Sequence, residues 1–393
     1  MSQARPGACR KPIGLALLAF VAIAQTLLAV TPAQAQLFGK AISQPYYDFG
    51  TGARFLGCRP SPYYWTFDAY EQADECEEGC RVGFTAHRPA DWYSIADFAP
   101  MTYDNYDTFP LARSGPTGPT VLSTSNLEPE FDSGGRFTIG RTFGGCFQVE
   151  GTYLGAYSWC DEVAVADGTG SLSSAFSNFA NPAVAGLDNN NLAVARDFNR
   201  FTSAELSVRT WINMPPGPFD VSLLVGARYM SAYEEFGFRT VSALPLPAGS
   251  QNRATVATNN DMYGVQIGID FKWLVYSKFY FDYDLKGGVL NNFASQTTQY
   301  SRIDQNGVQT DFATGADRQR TAWFGDMMLT GNFQFRPNWT LRAGYQAIFV
   351  DGLALGPNNL QRNNTLITAG PGQLIDDGRA VYHGPVLGLM WTR

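Results

Sequence analysis

From residue 262 onward the chain alternates. Tyr263, Val265, Ile267, Ile269 and Phe271 stand at every second position, with Gly264, Gln266, Gly268, Asp270 and Lys272 between them. After a short break the scheme returns. Phe279, Phe281, Tyr283, Leu285 and Val289 lie on one side, and Lys278, Tyr280, Asp282, Asp284, Lys286 and Gly288 on the other. A period of two marks a strand whose two faces meet different surroundings. Runs of about ten residues exceed the usual globular strand of about five or six. They match the roughly 9–11 residues that a tilted strand needs to cross a bilayer.

The same reading predicts strands over 134–142, 146–158, 201–212, 219–231, 262–272, 277–290, 322–335, 339–350 and 380–392. An earlier alternating run, 63–70, carries Trp65, Phe67 and Ala69 on one face and supplies a first strand. The connections alternate too. Short ones fall at 143–145, 213–218, 273–276 and 336–338, and long ones at 71–133, 159–200, 232–261, 291–321 and 351–379. Barrels of the outer membrane have tight periplasmic turns at one end and long external loops at the other. The pattern therefore predicts an all-β chain: a closed, up-and-down, antiparallel transmembrane barrel of about ten strands, within a range of about 8–12. An even count brings both ends of the barrel to the periplasmic side.

If the apolar rows face lipid, the alternate residues face the lumen. These include Glu150, Glu205, Arg209, Arg228, Asp270, Asp282, Asp284, Lys286, Asp326 and Arg342, with Lys272 and Lys278. Both signs occur, and a charge in a narrow interior must be paired or hydrated. About eight strands leave an interior just filled by side chains, and about 16–18 leave an aqueous channel. Ten or so predict a lumen largely crossed by ion pairs. Aromatics at run ends predict interfacial girdles: Trp211, Trp273, Tyr276, Trp339 and Trp391 on the turn side, and Tyr157, Trp159, Tyr229, Tyr233 and Trp323 on the loop side.

Composition agrees. Of 393 residues, 14% are aromatic and only 16% charged, with 40 glycines, which fits a β protein and neither disorder nor a helical bundle. The formal charge of -7 argues against a nucleic-acid partner. The start of the chain differs from the rest. Arg5, Arg10 and Lys11 precede an apolar run over 13–30, followed by Ala33-Gln34-Ala35. This predicts a signal peptide, 1–35, cleaved after Ala35; a single membrane anchor is the rival reading. A periplasmic segment, 36–61, then leads into a barrel over 62–393 in which 71–133 is a long external loop.

Cys58, Cys76, Cys80, Cys146 and Cys160 follow the predicted cleavage site, and export permits disulfides. Cys146 and Cys160 bracket one predicted strand, too far apart to bridge. Cys76 with Cys80 or Cys58 is the expected pairing, and Cys160 is a further candidate partner. The acidic run around Cys76 reads as solvated carboxylates, so no metal is expected. His383, with Asp376 and Asp377 nearby, could activate water. A lone histidine at the barrel rim is the simpler reading, and Gly-x-Ser-x-Gly and His-Glu-x-x-His are absent from the sequence. No enzyme and no cofactor is expected.

One block resembles a known family. Gly140-Arg141-Thr142-Phe143-Gly144-Gly145-Cys146-Phe147-Gln148-Val149-Glu150-Gly151-Thr152-Tyr153-Leu154-Gly155 is similar to a recurring unit of the beta-barrel-protein-seven family of outer-membrane proteins. Shorter likenesses occur at 203–206, 224–229, 263–268 and 341–345. The resemblance covers about 134–393 and implies a membrane barrel; it brings no reaction and no catalytic residues. The expected role is structural or surface-interacting through the external loops, with outer-membrane lipid and an unknown external ligand as partners. A narrow porin-like diffusion channel and a secreted soluble β adhesin are the alternatives.

Overall fold

The computed structural model describes residues 2–4, 92–105, 107–143, 147–181, 183, 186–212, 219–242, 250–276, 278–303, 306–360 and 374–393. Among these, ten strands close a ring: β1 (Trp92–Phe98), β2 (Gly135–Phe143), β3 (Phe147–Gly155), β4 (Asn190–Trp211), β5 (Phe219–Ser242), β6 (Gln251–Tyr276), β7 (Phe279–Ile303), β8 (Gln309–Arg336), β9 (Trp339–Leu353) and β10 (Gly378–Thr392). Each pairs antiparallel with its neighbours in sequence, and β10 pairs with β1. The chain is a closed up-and-down barrel. Tight connections join the strands at one end, where Arg393 and Trp92 also exchange main-chain hydrogen bonds. A three-residue segment, Ser2–Ala4, lies beside Ala164–Ala166.

The lower part of the ring follows the alternation. Leu206, Val208, Leu223, Val225, Val265, Ile267, Leu329 and Leu387 point outward and are exposed, Ile267 by 69%. A continuous outward apolar band on a closed sheet is what hydrocarbon requires, because closure alone satisfies every backbone group. Residues of the opposite parity, such as Arg228, Asp270 and Lys286, are buried in the lumen.

Higher up, the pattern turns over. On β5 the inward side chains become Met230, Ala232, Phe236 and Phe238, while Tyr233, Glu235 and Arg239 face out. On β6 the inward set becomes Val256 and Ala254, and Asn259, Thr255 and Arg253 face out. The strands have left the bilayer, and water now bathes the outer surface. Strands β4 to β8, 22 to 28 residues long, thus form a tall wall on one side of the ring. Strands β9, β10 and β1 to β3 are 7 to 15 residues long. The external connections lean against the wall's inner face. Leu111, Leu122, Leu172, Phe176, Leu187 and Leu360 pack there with Phe236, Phe238, Val256 and Tyr300. A strand from the second connection, Trp159–Ala166, continues the wall beside β4 where β3 stops.

Several sequence expectations are corrected. The predicted first strand, 63–70, lies outside the described residues, and its place between β10 and β2 is held by Trp92–Phe98, within the stretch 71–133 read as a loop. Tyr93 and Ile95 face in while Trp92 and Phe98 face out, so apolar residues occupy both faces and the alternation is blurred. The expected loops 232–261 and 291–321 are mostly paired strand, and β4 begins inside 159–200. Apolar runs end there because the outer face has become aqueous, while the hydrogen-bonded ladder carries on.

Strand β1 continues in the same register as Thr102–Asn105: Phe98 faces Leu387 and Thr102 faces His383. Pro100 interrupts the ladder between them, having no N–H to donate. Gly384 passes close beside it, where a Cβ would run into the Pro100 carbonyl.

Candidate functional site: the filled lumen

Alternation on β2 to β10 aims a set of charged side chains at the barrel axis. Glu150, Arg209, Arg228, Asp270, Asp282, Asp284, Lys286, Asp326 and Arg342 are all buried, and the Glu205 side chain is 6% exposed. Three groups form. In the first, the Arg209 guanidinium donates to Asp270 and lies 3.2 Å from Glu150. Lys272 Nζ sits 2.5 Å from Asp270, and the Tyr93 hydroxyl donates to Glu150 at 2.6 Å. In the second, Lys286 lies 3.0 Å from Glu205 and 3.3 Å from Asp284, and Gln266 donates to Glu205 at 2.8 Å. In the third, Arg228 meets Asp326 at 2.8 Å, and Gln346 donates to the same carboxylate. Asp282 faces Lys272 across the β6–β7 ladder, and Arg342 faces Asn332 and Gly388. Residues of β1 and of β3 to β9 are thereby tied across the interior.

Two members of this layer escaped the sequence reading. Asp97 is fully buried directly opposite Arg136, whose guanidinium reaches within 4.0 Å of Glu205. Arg136 was legible, since it shares its parity with Thr138 and Gly140 and opposes Phe137 and Ile139. Asp97 was not, because its strand fell in the presumed loop.

Above the charges lies an apolar layer. Met101, Leu154, Trp159, Phe201, Met230, Met262, Leu290, Phe324, Ile348 and Tyr382 fill the section. Phe201 stacks on Tyr382 at 4.1 Å and Tyr157 on Trp159 at 5.1 Å. Tyr157 and Trp159 therefore belong to the interior and not to a girdle. Trp211 is corrected likewise: it is 1% exposed and faces the lumen, two residues from inward Arg209. Trp273, Tyr276 and Trp323 face outward and are exposed, and Trp339 and Trp391, cross-strand partners at the turn end, are half-buried.

At the next level, Asp197 on β4 and Glu234 on β5 are both buried and are diagonal neighbours across the ladder. The Tyr103 hydroxyl donates to Asp197, and the Gly356 N–H donates to Glu234 at 2.6 Å. Asn260 Nδ2 donates to the Ala354 carbonyl at 2.9 Å and Asn260 Oδ1 accepts its N–H at 2.7 Å, while Asn292 donates to the Gly352 carbonyl at 2.8 Å. Arg196, Arg200 and Arg239 are exposed on the outer face hereabouts, so this level lies above the hydrocarbon. Burial pushes the Asp197 carboxyl up to about 6, and Asp161 nearby adds to the rise. Hydrogen bonds from Tyr103 and the Phe198 N–H pull the other way.

His383 is not joined to Asp376. Its ring nitrogens lie 2.6 Å from the Tyr345 hydroxyl and 3.2 Å from Asp104, on the outer face, and Asp376 takes Arg320 at 3.1 Å. Cys160 is disulfide-bonded, and its partner lies outside the described residues, as do Cys58, Cys76 and Cys80.

No family model matches the chain, and no curated protein matches it. Among solved structures it is similar to the outer membrane protease OmpT of Escherichia coli, at 10% identity and a TM-score of 0.45, over 77% of this chain and 96% of that one. It is also similar to the Pseudomonas putida toluene transporter TodX, at 7% identity and a TM-score of 0.21, over 86% and 96%. A FadL homologue of Pseudomonas aeruginosa matches at 10% identity and a TM-score of 0.21, over 76% and 89%. Likeness at this level says nothing about activity. The closed ring and its outward apolar band make the chain an outer-membrane β-barrel.

Proposed function

We propose that this barrel does not conduct and that its external cap is the working surface, a structural or surface-interaction role. The observation that carries the reading is the double filling of the lumen, a lattice of buried ion pairs under a layer of packed aromatic and aliphatic side chains. A solute would have to break both. The N-terminal signal, cleaved after Ala35, would deliver the chain to the envelope. Kinship with the beta-barrel-protein-seven family is part of the same reading, supported by the block over 140–155, which falls on β2 and β3.

Conductance in planar bilayers tests it. The purified, refolded protein is expected to give no steady current at neutral pH in moderate salt. A large, lasting conductance per inserted molecule would replace this reading with the diffusion channel.

A further inference from the structure

We propose that Arg196, Arg239 and Arg253, on the outer wall above the bilayer, form a phosphate-binding site for the sugar chain of an outer-leaflet glycolipid. The site rests on the surface-interaction role proposed above and names a ligand for it.

Register brings the three cations together. Arg239 on β5 stands directly opposite Arg253 on β6. Val194 on β4 faces Arg239 from the other side, so Arg196, two residues along, is its diagonal neighbour. Opposed side chains on a sheet lie about 5 Å apart and diagonal ones about 7–8 Å. All three arginines are exposed on the outer face, and among the described residues none of them forms an ion pair. Like charges directly opposite each other are destabilising, and the neighbouring acids are turned elsewhere. Glu235 takes the Tyr233 hydroxyl at 3.3 Å. Asp261 takes Tyr229 at 2.9 Å and Asn259 at 2.7 Å. Glu162 faces Arg196 across the ladder, one carboxylate against three guanidinium groups. The stretch 243–250, which joins β5 to β6, contains no acid.

The floor of the cluster is bare. Gly237 lies between Arg196 and Thr255 in the ladder, and a Cβ placed on it would meet nothing nearer than 3.9 Å. An anion seated over Gly237 has a guanidinium on each of three strands around it and the Thr255 hydroxyl beside it. Guanidinium forks match the paired oxygens of a phosphate, and one such group between Arg239 and Arg253 removes their repulsion.

Height selects the source of the phosphate. Tyr263 is the last exposed apolar residue of the β6 outer face, and Arg253 stands ten residues further along. At about 3.3 Å per residue and a tilt of about 40°, that is about 25 Å above the hydrocarbon edge. The headgroup layer of a bilayer is only about 5–8 Å deep, so a phospholipid phosphate does not reach the cluster. A phosphorylated sugar chain rising from the leaflet does. Arg200, on the same face of β4 and below Arg196, lies over the Phe198 ring at 4.8 Å and continues the basic track down towards the membrane.

The test is a titration of the full-length protein, refolded in zwitterionic detergent, with fluorescent lipopolysaccharide, read by anisotropy. Wild type is expected to bind, and the double variant Arg239→Gln, Arg253→Gln to bind at least about 10-fold more weakly. Arg379→Gln, which removes an exposed arginine from β10 elsewhere on the ring, should leave affinity unchanged. Lipopolysaccharide stripped of phosphate should bind as weakly as the double variant does to the intact glycolipid. Full affinity in the double variant, with the barrel shown intact by its heat-modifiable gel mobility, would overturn the proposal. So would an equal loss in Arg379→Gln, or phosphatidylglycerol or inorganic phosphate competing as well as unlabelled lipopolysaccharide. Binding is read without reference to current, so a conducting lumen and a failed site are told apart.

Discussion

The lower and upper storeys of this barrel are built from the same strands with opposite polarity. Below, β6 turns Val265 and Ile267 outward and Asp270 and Lys272 inward; above, it turns Thr255 and Asn259 outward and Val256 inward. The solvent outside sets the rule in each case. Hydrocarbon demands an apolar exterior and leaves the charged groups to satisfy one another inside. Water demands the reverse, and the inside becomes an ordinary core in which the external connections can be buried. A storey held by ion pairs and one held by apolar packing should fail under different insults.

The largest effect is expected from Arg209→Leu in the lower storey. It strands Glu150 and leaves Asp270 with Lys272, and removing one partner of a buried pair costs about 3–5 kcal/mol. Urea unfolding in vesicles, followed by tryptophan fluorescence, measures it. A variant as stable as the parent would mean that the lattice is filler. Next comes the outer face of β6. Ile267→Lys places a charge in the apolar band and should cost about 2–4 kcal/mol near the bilayer centre. Ala257→Lys, on the same face of the same strand but above the band and opposite Glu235, should change stability by less than about 0.5 kcal/mol. Equal costs at the two positions would erase the boundary between storeys.

This inversion also explains what could be read from the chain alone. Nine of the ten strands, with their outward rows and charged lumen residues, were legible because lipid forces a sharp contrast between alternate positions; Trp92–Phe98, apolar on both faces, was not. The upper storey was not. The apolar parity switches phase near Met230 on β5 and Met262 on β6, so a search for a single alternating row stops there and records a loop. Trp211 shows the converse. Its parity with Arg209 placed it inside, but its position at a run end suggested a girdle, and register won. The two buried carboxyls could not be read, because Asp197 and Glu234 lie in stretches assigned to loops and become neighbours only through the pairing of β4 with β5.

One modest detail bears on how the ring is made. The joint between β1 and β10 unites strands almost three hundred residues apart in the chain, and it is the joint that Pro100 breaks. Every other neighbouring pair of barrel strands is consecutive around the ring, with far less chain between its members. This seam needs both ends of the sheet to arrive first, and contacts so distant along the chain are slow to form. Closure is therefore expected to come last in assembly, and until it happens the lattice of charges has no enclosed interior to occupy.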